Sequence, residues 1–389
     1  MQRQHFSRPV KFLALAASVA TVFFNLGFLN LKSSAADPQT LSQASSSYSW
    51  SFPADHGSHP KYQTEWWYYT GQLYAKDARP FQDKPRYGFQ LTFFRRADPK
   101  FGGAKSEYMA HATITDITGQ KTHFSSRLGG GDLGLARVDS HSLSAASGDW
   151  SVEQIGERLA IRLSAPLHDS AALTSLALIS ETLPDRWFHG VNGFSQKASC
   201  ATCASMYYSL PRIAVTAKLG LGASAQELRG LAWMDHEFMT NSLSQTQTGW
   251  DWLGIMLRDG RNLMVFRLRD NKGETDFASG TILSVAEGSK ALKGDQFSLK
   301  PIEYWTSAKT NARYPVVWRL IVESEGIDLV LKARVPDSEI GHTASDLSVN
   351  NVAERIVYWE GPVASPDESA LGYLEMTGYQ APIAGFSGN

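Results

Sequence analysis

The run Trp233-Met234-Asp235-His236-Glu237 sets two acids and an imidazole directly behind an indole. If the segment is extended, successive side chains point to opposite faces. Asp235 and Glu237 then share a face with Trp233, and His236 points away. An acid against an aromatic wall suits the protonation of a hydrocarbon double bond. Desolvation raises the acid's pKa, so a proton is available near neutral pH. The faces of neighbouring rings stabilise the carbocation that forms. The competing expectation is a turn with solvated charges.

A second group lies in DHGSHPKYQTEWWYYTGQL, Asp55 to Leu73. As a strand, residues 64–70 divide into Glu65, Trp67 and Tyr69 on one face and Thr64, Trp66, Tyr68 and Thr70 on the other. Both faces carry large rings, so both are expected to be covered. A carboxylate among rings is costly to ionise unless it is paired or hydrogen-bonded. Glu65 is therefore expected mainly as a structural acid with a partner, on one wall with Trp67. His56 and His59 have a metal-like spacing, but Gly57-Ser58 and Pro60 imply a turn and a hydrogen-bonded loop. No metal site is expected there.

Tyr207 and Tyr208, in SMYYSLPRI, offer phenol hydroxyls to a cleft, with Arg212 as a nearby cation. Tyr358-Trp359-Glu360 repeats the acid-beside-ring pattern in reverse order. A Gly-x-Ser-x-Gly elbow, a phosphate-binding Gly-rich loop and a His-Glu-x-x-His pair are all missing from the sequence. The commonest hydrolase, kinase and metalloprotease signatures are thereby excluded, and no cofactor is expected. Cys200 and Cys203 are the two cysteines of the chain. A metal would need two further ligands, and a thioredoxin-type role would need a strand-to-helix context. A local disulfide or a pair of free thiols in a loop remains.

The elements that must hold these groups read as strands. TEWWYYTGQLYA, RYGFQLTFFRRA, YMAHATITDITGQ, ERLAIRLSAPL and TSLALISETL are rich in β-formers and end in turn residues. WDWLGIML and NLMVFRLRD flank an Asp259-Gly260 turn, a strong hairpin signal. YPVVWRLIVES and IDLVLKARV turn at Glu325-Gly326. Residues 184–204 read as a long loop. Helical periodicity is modest and confined to ASAQELRGL and the N-terminal leader. The expectation is an all-β chain of barrels or sandwiches.

The chain has 389 residues, 43% of them hydrophobic and 19% charged, with a formal net charge of -1. That balance describes a globular protein and offers nothing to nucleic acid. Trp 11, Tyr 14 and Phe 19 suffice to line an apolar pocket. Arg3, Arg8 and Lys11 precede an apolar run from Phe12 to Leu31, followed by Ser34-Ala35-Ala36. Residues 1–36 thus read as a signal peptide, or as an uncleaved anchor, and residues 37–47 as a linker. The remainder, about 350 residues, suggests two domains, 48–240 and 245–385. A periplasmic or secreted monomer is expected, touching a membrane only through its leader.

Five segments together resemble a family: GSHPKYQTEWWYYTGQL, SMYYSLPRI, WMDHEF, GWDWLGIML followed by Asp-Gly, and GYLEMTGY. They are similar to the AttH-type, hydroxyneurosporene-synthase-like proteins, which include the carotenoid 1,2-hydratases and many exported predicted hydrolases. The resemblance covers nearly the whole chain after the leader. It implies two tandem lipocalin-like β-barrel domains with few short helices. It also implies an apolar ligand in a ring-lined cleft, with Asp235 as proton donor to a terminal isoprenoid double bond. Trp233 stands where the hydratases tend to carry Tyr, and Glu237 where they tend to carry Asn. Relatives that cyclise polyene or polyketide substrates extend the expected chemistry to cyclisation. Glu65, Trp67, Tyr69, Tyr207, Tyr208, Trp233, His236, Glu237, Trp250 and Trp252 are expected around the ligand. The alternatives are a carrier without chemistry and a secreted hydrolase.

Overall fold

The structure, a computed structural model, describes residues 41–97, 105–130, 136–164, 173–240, 243–284, 286, 288–341 and 356–383. The leader expected over residues 1–36 lies outside them. Nearly all described elements are strands. Among the described residues helix is confined to single turns at Ala54–His56 and Glu323–Glu325, and none is long and apolar enough to cross a membrane.

The first sheet opens with a meander of β1 (Thr64–Ala75), β2 (Tyr87–Ala97), β3 (Ser106–Asp116) and β4 (Lys121–Gly130). A second meander follows: β5 (Ala136–Val138), β6 (Ser144–Ser147), β7 (Trp150–Ile155), β8 (Arg158–Ser164) and β9 (Leu173–Ser180). Two short strands, β10 (Trp187–Phe188) and β11 (Phe194–Gln196), interrupt the expected long loop and pair with β12 (Ala204–Leu221). Then β13 (Ser224–Met239) inserts between β1 and β12 and joins the two meanders. All of ASAQELRGL after Ala223 lies in this strand rather than in a helix, because β12 pairs along it and β1 joins on the other side from Leu228.

The second sheet holds β14 (Gln247–Leu257), β15 (Asn262–Asp270), β16 (Thr275–Ser284), β17 (Gly288–Lys293) and β18 (Ser298–Thr306). It continues with β19 (Arg313–Val322), β20 (Ile327–Ala333), β21 (Glu339–Gly341), β22 (Val357–Ala364) and β23 (Ala370–Met376). The β14–β15 hairpin turns through Gly260 at φ 99°, and the β19–β20 hairpin through Gly326 at φ 63°. Every pairing is antiparallel, and both sheets curl into barrel-like layers around their own cores. Trp67, Tyr69 and Phe89 belong to the first core, and Leu253, Trp318 and Trp359 to the second. A third apolar cluster, with Tyr68, Tyr207, Trp233, Trp252 and Tyr373, takes residues from both sheets. Arg212, at φ 57° beside a bulge in β12, donates to the Leu257 carbonyl at 2.6 Å. Gln72 donates to the carbonyls of Val363 and Gly372 at 3.0 and 2.8 Å.

Both sheets begin with the same buried device. Glu65 of β1 lies directly opposite Arg95 of β2, and Asp251 of β14 directly opposite Arg267 of β15. All four point inward, with Nε–carboxylate distances of 2.9 and 2.6 Å. Directly opposed residues share a face. A slip of one residue would turn every side chain of the strand over and strand these charges on the wrong side. The acid–arginine pairs therefore select the register that turns Trp66, Trp250 and Trp252 outward.

Removing one partner of a buried ion pair leaves an uncompensated charge and costs roughly 3–5 kcal/mol. Arg95→Met should lose about that much in urea unfolding followed by tryptophan fluorescence. Arg96→Met, the same change at the neighbouring exposed residue, should fall within about 0.5 kcal/mol of the parent. Equal losses would mean that the buried pair does not set the register.

Candidate functional site

Between the two sheets lies a cavity of about 690 Å³. Its N-terminal wall comes from alternate residues of three adjacent strands: Trp66 and Tyr68, Asp235 and Glu237, and Tyr207. These are cross-strand neighbours, since Tyr68 opposes Asp235, and both Trp66 and Tyr207 oppose Glu237. The facing wall carries Trp250, Trp252, Phe266, Tyr358, Glu360 and Glu375. The cavity is thus ring-lined, and Asp235 and Glu237 face Glu360 and Glu375 across it, with Glu107 also in its lining.

Asp235 is 2% exposed. It accepts hydrogen bonds from the Trp233 indole at 2.7 Å, from the Tyr207 hydroxyl at 2.9 Å and from Ser209. Burial pushes its pKa up to about 7, outweighing the three donors, and the Glu237 charge adds to the rise. Near neutral pH this carboxyl divides between acid and base forms, as a general acid requires. Trp252 donates to Tyr207 at 3.0 Å, tying the opposite sheet to the same group. Gly254 makes room for that indole, because a Cβ there would lie 2.6 Å from the ring.

Glu237 is compensated differently. Lys197, carried by the loop after β11, sits 2.8 Å from it and lies over the Phe266 ring at 4.2 Å. The loop is closed by a disulfide between Cys200 and Cys203, and the Lys197 amide donates to the Cys203 carbonyl at 2.8 Å. On the far wall Trp250 donates to Glu375 at 2.9 Å, and Tyr68 donates across the cavity to Glu360 at 3.1 Å. Burial pushes Glu375 up to about 7 and Glu360 well above the ordinary carboxylate range.

The predicted residues divide by strand face. Asp235, Glu237, Tyr207, Trp250 and Trp252 line the cavity, and Trp233 stands behind Asp235. Glu65, Trp67, Tyr69, Tyr208 and His236 lie on the opposite face of the same strands, inside the first sheet. Glu65, 0% exposed, accepts from His59 Nδ1 at 2.7 Å, His236 Nε2 at 2.9 Å and Arg95 Nε at 2.9 Å. Trp67 stacks on His236, and the Tyr208 hydroxyl bridges the Nδ1 atoms of His236 and His56. Burial alone would lower the His59 pKa, but its bonds to Asp55 and Glu65 outweigh this and raise it. Glu65 is depressed despite its burial by the two histidines and Arg95.

The His59, Glu65 and His236 donor atoms lie within 4.8 Å of one another, close enough to hold a metal. Their chemistry argues against it. The Arg95 cation already occupies the other oxygen of Glu65, and a divalent ion beside it would face an unscreened like charge. A serine hydrolase also fits poorly. His189 Nε2 meets Ser209 Oγ at 2.6 Å, but Ser209 is buried and gives its proton to Asp235. Among the described residues the buried Nδ1 of His189 has no partner to orient the ring.

Trp66, Tyr68, Lys197 and Glu375 had no place in the expected site. Strand alternation already sets Trp66 and Tyr68 on a common face, yet rings on both faces hide which one borders a cavity. Lys197 carries no sequence signal. Glu360 shows only as an echo of the acid-beside-ring pattern.

A family model described as AttH-like matches residues 43–379. An AttH protein of Nitrosomonas europaea superposes with a TM-score of 0.74 at 29% identity, over 87% of this chain and 100% of its own. Kievitone hydratase of Nectria haematococca superposes with a TM-score of 0.57 at 13% identity, over 88% of this chain and 98% of its own, a likeness of fold. No curated protein matches the sequence.

A raised carboxyl pKa adds stability at low pH that is lost as pH rises through the folded value. For Asp235 the loss runs from the ordinary Asp value of about 4 to about 7. Asp235→Asn removes the titration. The melting temperature of this variant, relative to the parent, should therefore climb across that window in scanning calorimetry. A constant difference would show that Asp235 ionises normally.

Proposed function

The chain belongs to the AttH-like family, and we propose that it binds a long apolar molecule between its two sheets and protonates a carbon–carbon double bond of it with Asp235. The observation that carries this is a carboxyl buried in a wall of rings, where desolvation raises its pKa to about 7. A cavity of about 690 Å³ suits an isoprenoid, lipid or polyketide chain. The proton passes from Asp235 to the less substituted carbon, and the positive charge settles on the more substituted one. Trp66 and Trp252 are the lining rings that would stabilise that cation. Attack by water gives hydration, and attack by a second double bond of the same molecule gives cyclisation. That a hydratase shares the architecture is in keeping with this chemistry.

Export is part of the proposal. The basic and apolar leader and the small residues after it support it, and so does the Cys200–Cys203 disulfide.

Geranylgeraniol, an uncharged isoprenoid with trisubstituted double bonds, is a suitable probe. Incubation with the full chain should yield a product heavier by one water, or an isomeric cyclic product, by mass spectrometry. Asp235→Asn should lower the rate about 100-fold or more while retinol, a fluorescent apolar reporter, still binds. The parent rate should fall as pH rises through about 7, where Asp235 loses its proton. Unchanged turnover in the variant would remove Asp235 as the acid. Binding with the probe returned unaltered would favour a carrier.

A further inference from the structure

We propose that Glu360 and Glu375 form a second carboxyl site on the C-terminal wall, holding one proton between them and accepting the proton of the attacking water. This rests on the reading of Asp235 as the acid, but its structural basis is separate. Glu360 of β22 and Glu375 of β23 are directly opposed across an antiparallel ladder, so their side chains leave the same face. Both line the cavity. Among the described residues no Lys, Arg or His forms an ion pair with either. Two adjacent carboxyls without a counter-cation cannot both ionise readily, and one proton remains with the pair.

The surroundings say which of the two keeps it. Glu360 is fully buried, whereas Glu375 is half-buried at the cavity. Full burial makes Glu360 the costlier of the two to ionise, so it keeps the proton. The Gln90 amide nitrogen donates to Glu360 Oε1 at 3.0 Å while its oxygen accepts from Thr92, and Tyr68 donates to the other Glu360 oxygen. Glu375 accepts from Trp250 and is the member left to take up a proton.

The groups facing this pair come from both sheets. Asp235 and Glu237 on β13 raise Glu375 further by their charge. Tyr358 and Tyr373 stand beside the pair on its own strands, both held well above the ordinary phenol value by burial. Among the described residues lining the cavity, His111 is bound to the Tyr358 hydroxyl at 2.7 Å, Lys197 is paired with Glu237 and Arg95 with Glu65, and Arg96 and Glu107 complete the charged set on the first sheet. On the far wall itself the base is Glu375.

The proton balance then closes within the cavity. Asp235 gives its proton to carbon, a C–H bond forms and the π bond breaks. The water oxygen bonds to the tertiary cation, and one water O–H bond breaks toward the ionised Glu375. The pair now holds two protons and Asp235 none. One proton returns through water exchange, leaving an alkene and a water converted to an alcohol.

The test needs no ligand for its first half. In the full chain labelled with carboxyl 13C glutamate, one resonance should stay protonated above neutral pH and a second should titrate near neutrality. Glu360→Gln and Glu375→Gln assign the two. Glu375→Gln should move the Glu360 midpoint down toward the ordinary range, because the neighbouring charge is gone, whereas Glu360→Gln, a neutral group replaced by a neutral one, should leave Glu375 near neutrality. A Glu360 midpoint that ignores Glu375→Gln, or two ordinary carboxylates, would overturn the pair. In the second half, Glu375→Gln should lower kcat for geranylgeraniol about 100-fold with KM little changed. If Asp235→Asn abolishes turnover and Glu375→Gln does not, the base assignment falls and the acid stands. If Asp235→Asn retains turnover while the Glu360 midpoint responds to Glu375→Gln, the shared proton stands and the acid falls.

Discussion

Everything at this site depends on a strand pair that is buried on both faces. In most antiparallel sheets one face meets a core and the other meets water. Here β1 and β13 have the first sheet's core on one side and the inter-sheet cavity on the other. Each successive residue is therefore committed to one of two buried environments. The Glu65–Arg95 pair decides which is which. It is charged, fully inside the first sheet and directly cross-strand, so only one register satisfies it. Trp66, Tyr68, Asp235 and Glu237 face the cavity as a consequence. The Asp251–Arg267 pair performs the same selection for Trp250 and Trp252 on the opposite wall.

The two environments treat acids in opposite ways, and the difference is one of partners rather than depth. Glu65 and Asp235 are almost equally hidden from water. Glu65 meets a guanidinium and two imidazoles, which hold it ionised below the ordinary range. Asp235 meets an indole and two hydroxyls, neutral donors too weak to offset burial, and it rises. An ionised carboxylate gripped by cations is a structural member. A carboxyl poised near neutrality among rings is a reagent. One strand residue thus anchors the fold, and the proposed reagent, Asp235, lies on the other face of the neighbouring strand.

The all-β class, both hairpin turns and the alternation of Asp235, His236 and Glu237 were legible in the sequence because they depend on local pattern. So was the need of Glu65 for a partner. Which face of β1 borders the cavity was not, because Trp67 and Tyr69 are as large and apolar as Trp66 and Tyr68. The deciding residue, Arg95, is far along the chain and meets Glu65 only through the β1–β2 register. Glu360 and Glu375 were illegible as a pair for the same reason. They sit on different strands and become neighbours only when β22 and β23 align. Lys197 reaches the site from an irregular, disulfide-closed loop, where neither period nor motif marks a side chain's direction.

The proposed chemistry requires that burial among rings raise the Asp235 pKa to about 7. The most direct measurement is the carboxyl 13C resonance of Asp235, assigned by its loss in Asp235→Asn and followed across acid to alkaline pH in the ligand-free chain. A midpoint near 7 is predicted. A midpoint in the ordinary aspartate range, about 4, would contradict the account, because a carboxylate ionised at neutral pH has no proton to give.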